Sequence, residues 1–171
     1  MWMHKGKVSP SEAARLLRDL ALSGSSASDD MVRSAVVMES GFQRGVATLV
    51  SFADGATALY FSGGAGMVAE RRHLAVGELA AEFRSLADGL LPHFAPAADD
   101  MPPDMGFVRF FRRDAADLLS AEVGESELRA DRHSLAPLYR AGQRVVGALR
   151  DALAEDALAR QKSMPEQERS N

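Results

Sequence analysis

The chain contains no cysteine. That absence excludes disulfides, thiolate nucleophiles, zinc fingers and iron–sulfur clusters together. It also lacks an excess of positive charge. The formal net charge is −4 and the pI is about 5.6, whereas non-specific nucleic-acid binding needs a net or strongly local positive field. No apolar run follows the basic residues of Met1-Trp2-Met3-His4-Lys5-Gly6-Lys7, so a signal peptide is not expected and the cytoplasm is the default location. Gly45 to Ala69 carries only Asp54 as a charge, which suggests a membrane span on a hydropathy plot. Its Asp-Gly centre and its glycines argue against one, and a carboxylate at mid-bilayer costs about 3 kcal/mol.

What is present suits a small folded domain. The 171 residues are 46% hydrophobic and 26% charged, enough for one core and not for two comfortable ones. Ser9-Pro10-Ser11-Glu12 opens a helix as a capping box, with Ala13, Leu16, Leu17 and Leu20 as its stripe. A Ser/Gly link follows. Residues 1–30 therefore read as a helix and a flexible link, 31–159 as a single α+β domain, and 160–171 as a polar tail. Met31 to Met38 favours a strand, with a short helix as the alternative, and Gly41 and Gly45 separate it from a hairpin over Gly45–Ser62. With Asp54-Gly55 as a two-residue loop, Phe52 faces Thr57, Val50 faces Leu59 and Thr48 faces Phe61; a three-residue loop sets Val50 against Ala58 and Phe52 against Ala56, which packs less well, so the two-residue turn is preferred. Ala47, Leu49, Ser51, Ala58, Tyr60 and Ser62 then share a second, half-apolar face.

A helix is expected over Leu74–Leu91, with an apolar stripe through Val76, Leu79, Ala80, Phe83, Leu86, Ala87, Leu90 and Leu91, stopped by Pro92. Pro92–Met105 reads as an extended loop, Gly106–Arg113 and Leu118–Val123 as paired strands, and Gly124-Glu125-Ser126 as a loop. A last helix runs from Ser134 to about Ala159, its stripe including Leu135, Leu138, Tyr139, Val145, Val146, Leu149 and Leu153. The fold class is α+β: an antiparallel sheet of about five strands with helices packed on it, in the order α-β-β-β-α-β-β-α.

Signals of chemistry are sparse. Gly63, Gly64 and Gly66 follow a strand and precede Arg71, Arg72 and His73, so a loop of backbone N–H groups with two guanidiniums could receive a phosphate or carboxylate. The segment matches neither the dinucleotide fingerprint nor the P-loop, and the competing reading is a strand-end bulge with a solvated basic turn. Asp131-Arg132-His133-Ser134 lacks the strained turn of a nucleophile and reads as a helix cap at Ser134. Asp99, Asp100 and Asp104 are divided by prolines and do not match an EF-hand. Arg109, Arg112 and Arg113 on an aromatic strand read as charge guarding a sheet edge. Gly142 allows close approach to another backbone, either this chain's sheet or a second subunit. No catalytic residue, metal or cofactor is implied.

The Ala-Asp-Gly turn, Leu59-Tyr60-Phe61-Ser62 and the glycines after it resemble a set of uncharacterised bacterial proteins, over roughly residues 43–152. The resemblance implies a bacterial soluble domain and no activity. The element order is similar to type III secretion chaperones, and more loosely to roadblock-like modules that dimerise and bind small GTPases; neither likeness rests on a motif or transfers a residue. The leading expectation is a non-enzymatic interaction or regulatory module, a homodimer that uses its sheet or last helix to bind itself or another protein and binds neither nucleic acid nor membrane, with Leu49, Tyr60, Gly142 and Val146 as interface candidates. The alternative is a small-ligand binder or enzyme built on Gly63–Gly66, Arg71, Arg72 and His73.

Overall fold

The structure, a computed structural model, describes residues 10–23, 35–114 and 117–163. Ser9, the expected cap, and residues 31–34 of the first expected strand lie outside them. Helix α1 (Pro10–Ser23) is followed by β1 (Val36–Phe42), β2 (Gly45–Ser51), β3 (Thr57–Phe61), β4 (Gly66–Val68) and α2 (Leu74–Gly89). A 3₁₀ turn (Leu91–His93) leads to β5 (Ala95–Pro96), β6 (Phe107–Asp114), β7 (Asp117–Gly124), α3 (Glu125–Arg129) and α4 (Ala136–Ser163). The strands form one antiparallel sheet in the order β4-β3-β2-β1-β6-β7-β5. The α+β class holds, with seven strands in place of five.

Both faces of the sheet are covered. On one, α2 contributes Val76, Ala80, Phe83 and Ala87, and α4 contributes Leu138, Val145 and Leu149, against Met38, Leu49, Leu59, Val108 and Phe110. On the other, Ala21 and Leu22 of α1 pack with Val37, Val50, Phe52 and Phe111. Thus α1 joins the layers of the main domain, while its Leu16 is exposed. Leu153 is also exposed, because α4 turns Ala152 inward at that level. Gly142 meets the sheet of its own chain: a Cβ there would lie 2.6 Å from Met38 Sδ and 3.3 Å from Phe83 Cε2.

The hairpin register differs by one residue from the expectation. Phe52 N–H donates to Ala56 O (2.9 Å) and Gly55 N–H to Phe52 O (3.0 Å), so the loop is Ala53-Asp54-Gly55. Gly55 has φ +91°, and Asp54 Oδ1 accepts the Ala56 N–H at 2.9 Å. This is the three-residue loop closed by a left-handed glycine. Val50 now faces Ala58 and Leu49 faces Leu59. The geometry recurs at Ser62-Gly63-Gly64, where Phe61 N–H donates to Ala65 O (2.8 Å) and Gly64 has φ +101°. That second turn creates β4 where the sequence predicts a loop.

Other differences are local. Strand β1 runs past its expected end at Met38 and through Gly41, where the 99–106 segment crosses it closely: a Cβ at Gly41 would sit 2.1 Å from Asp104 O. The segment at Gly124–Ser126 forms α3. In the turn that leads into α4, His133 Nδ1 accepts the Leu135 N–H at 3.1 Å. The apolar Gly45–Ala69 stretch forms strands, and among the described residues no helix is long and apolar enough to cross a membrane.

Candidate functional site

The residues proposed from sequence for anion binding do not converge. Gly63 and Gly64 form the β3–β4 turn, and Gly66 lies in β4. Arg71, Arg72 and His73 lie at the opposite end of that ladder, beyond Ala69, whose N–H donates to Thr57 O at 2.8 Å. Arg72 is engaged: it donates to both Asp156 oxygens (2.7 and 2.9 Å) and to Glu70 Oε2 (2.8 Å). His73 Nδ1 accepts the Glu70 N–H at 3.0 Å, which leaves the proton on Nε2, 3.4 Å from Asp156 Oδ2. Hydrogen bonding and charge from Arg72 hold the Glu70 carboxyl below its usual range. Burial opposes ionisation of Asp156, but Arg72 and His73 outweigh it and lower its pKa too. This cluster fastens α4 to the entrance of α2.

Arg71 opens onto a groove of about 910 Å³ between the β2–β3 turn and the first half of α2. Gly55, Ala69 and Gly77 give it smooth walls, while Asp54, Glu70 and Glu78 line it with carboxylates. Its volume suits a small molecule; its charge does not suit an anion.

The interface candidates are held within the chain's own layers. Leu49 is 1% exposed and faces α4, so the sequence pairing of Leu49 and Tyr60 on one open face is corrected: the one-residue slip puts Tyr60 on the α1 face, where it is half-buried. Val146 is half-buried and lines, with Leu49, Ser40 and Gln143, a cavity of about 90 Å³ between sheet and α4.

The strand arginines have structural partners, and β6 is an interior strand, not the guarded edge expected. Arg112 donates to Asp88 Oδ1 at 2.6 and 2.9 Å. Arg113 donates to the carbonyls of Ala21 and Leu22, closing the end of α1. Arg109 lies over the Phe111 ring, 4.9 Å from its centroid, and donates to Asp99 Oδ1 (2.6 Å) and Met101 O (2.9 Å). Opposite Arg109 in the β1–β6 register stands Glu39, fully buried. Arg18 of α1 meets it through two bonds (2.6 and 3.0 Å), and Thr48 Oγ1 donates to it at 2.8 Å. Among the described residues no group of three or more histidines and carboxylates is placed to hold a metal.

The feature that these structural roles leave unexplained is apolar. Met101, Met105 and Phe107 are 44–66% exposed and lie along the 99–106 segment where it crosses the end of β1 and enters β6; Phe42, also exposed, stands on the other face of the sheet, in line with Met38 and Ser40. Nine large apolar side chains are exposed among the described residues, so a third of them sit on this one stretch. The segment is firmly held. Gly106 N–H donates to Gly41 O (3.0 Å), Glu125 N–H to Gly106 O (2.8 Å), and Phe107 N–H to Asp104 O (3.1 Å). Arg109 and Arg18 bind the carbonyls of Met101 and Asp100, and Pro103 is buried. The exposed side chains therefore stand on a rigid base, rimmed by Asp100 and Asp104. Sequence reasoning missed all three; the available signal was two methionines beside prolines in a loop with no apolar repeat.

No family model, curated protein or solved structure matches this chain.

Proposed function

We propose that this chain is a non-enzymatic protein-interaction module that docks a partner on the surface formed by Met101, Met105 and Phe107. The observation that carries the reading is the concentration of exposed apolar side chains on a pinned segment. Monomeric folds seldom leave such a patch without a use, and methionine adapts to the partner's shape at low cost. The acidic rim defines the partner's chemistry: an apolar segment flanked by Lys or Arg. This reading is preferred to an anion-binding site because Arg72 is engaged by two carboxylates, the glycine turn is remote, and carboxylates line the groove.

Selection of a displayed random-peptide library against the immobilised chain is expected to enrich apolar peptides with basic flanks. The double variant Met101→Ser, Met105→Ser is expected to weaken them at least tenfold, about 1.4 kcal/mol, with an unchanged melting temperature. In [methyl-¹³C]methionine spectra the Met101 and Met105 signals are expected to move on peptide addition. No enrichment, or peptides indifferent to the double variant, would refute the proposal.

A further inference from the structure

Strand β4 is an outer strand of the sheet. The bonds Phe61–Ala65 and Ala69–Thr57 set its parity: Ala65, Met67 and Ala69 turn their backbone groups toward β3, whereas Gly66 and Val68 turn theirs away. Those outward groups have no hydrogen-bond partner among the described residues. The two edges of the sheet are unlike. Strand β5 has two residues, contains Pro96 and runs on to Asp99 and Asp100, the usual guards against edge pairing. Nothing guards β4: Gly55 to Ala69 contains neither a charged residue nor a proline.

We propose that β4 pairs with β4 of a second copy of this chain, antiparallel, about a two-fold axis through Met67. In that register Gly66 lies opposite the partner's Val68, and the two exchange both backbone hydrogen bonds on each side of the axis. Met67 meets the partner's Met67 as the close, non-hydrogen-bonded pair. Val68 is 41% exposed, and the residue it faces has no side chain, so the edge is complementary in shape to itself. That self-complementarity selects a second copy over an unrelated strand. Helix α1 packs on β3 and β4 from one face, and α4 reaches β4 from the other. Each carries an exposed leucine, Leu16 and Leu153. The β4 edge shares no residue with the Met101–Phe107 surface, so either proposal can fail alone.

Sedimentation velocity up to about 100 µM, a range that captures micromolar association, tests it. The wild type is expected to reach twice the 18.4 kDa chain mass. Val68→Pro removes an outward N–H and leaves the β3–β4 bonds intact; Val68→Lys installs the missing guard. Both are expected to weaken the dimer at least tenfold with unchanged circular dichroism. If Val68→Pro fails to fold, Val68→Lys decides. Because the chain has no cysteine, Met67→Cys is expected to cross-link to itself under mild oxidation, and Met101→Cys is not. A wild type that stays monomeric, a Val68→Lys dimer as tight as wild type, or cross-linking no faster at position 67 than at 101 would overturn the proposal.

Discussion

Replacing Arg18 by methionine, close to it in length, removes a charge and leaves much of its packing. The guanidinium makes two bonds to Glu39, at 2.6 and 3.0 Å, and one to the Asp100 carbonyl at 2.8 Å. Arg18 has 15% of its side chain exposed and Glu39 none. An exposed pair contributes at most about 1 kcal/mol, whereas breaking a buried one costs about 3–5 kcal/mol, because the surviving charge stays desolvated. The buried figure applies here, at its lower end. Thr48 still donates to the carboxylate, and Arg109 stands across the strand pair from it. A loss of about 3 kcal/mol corresponds to a fall of about 6–12 °C in melting temperature for a chain of this size.

Urea unfolding of wild type, Arg18→Met, Glu39→Gln and the double variant gives the coupling directly. Removing the orphaned carboxylate as well is expected to recover part of the loss, so the double variant should be more stable than Arg18→Met alone. Hydrogen exchange adds a spatial test: Val37, Val50 and Phe111, which pack with the end of α1, are expected to lose protection before Val108 and Phe110. A loss under about 1 kcal/mol, or no recovery in the double variant, would show that the pair is solvated and that α1 is held by apolar contact alone.

Two further outcomes are expected. Gly41→Ala puts a Cβ against the backbone of Asp104; the expected cost is about 1–3 kcal/mol, the range for forced overpacking, with a shifted Met105 methyl signal as the segment moves. The Tyr139–Glu125 bond, 2.7 Å long, predicts opposite edges of a pH profile. Burial, then the bond to Glu125, pushes Tyr139 up to about 12, above an unfolded value of about 10. Its stabilisation is therefore present below the unfolded value and lost as pH rises through the folded one. Burial opposes ionisation of Glu125, but Tyr139 and Arg129 hold its pKa below the usual range, so that contribution is present above the unfolded value and lost as pH falls through the folded one. Melting against pH should lose its alkaline step in Tyr139→Phe and keep it if the reasoning is wrong.

Long periodic elements were legible because burial on one side writes itself into the spacing. Val76, Ala80, Phe83 and Ala87 in α2, and the alternation of Phe107, Arg109 and Phe111 with Val108 and Phe110 in β6, are of this kind. Strands β4 and β5 and helix α3 have three, two and five residues, too few for any period to declare itself. Strand β1 was misplaced for another reason. Glu39 and Gly41 look like terminators, yet Glu39 is neutralised by an arginine 21 residues earlier and Gly41 makes room for a segment more than 60 residues later. The Met101–Phe107 surface was illegible on the same ground: it exists only because that segment crosses the strand end.

The hairpin shows why packing was the wrong arbiter of its register. Large-to-large pairing decides register when one face of a sheet is buried and the other is wet. Here both faces are buried, so Leu49 with Leu59 under α4 and Val50 with Ala58 under α1 are each acceptable, and side chains discriminate weakly. The turn then decides. Gly55 supplies the left-handed residue that closes a three-residue loop, and Asp54 fixes it through the Ala56 N–H. Gly64 repeats that closure one strand later. Two such turns in succession determine the parity of β4, and parity determines which backbone groups reach the open edge. A two-residue loop at Gly63-Gly64 would turn the groups of Met67 outward and those of Gly66 and Val68 inward, removing the match between a side chain and the space opposite it. The proposed self-pairing of β4 thus follows from turn chemistry and not from the apolar character of the strand.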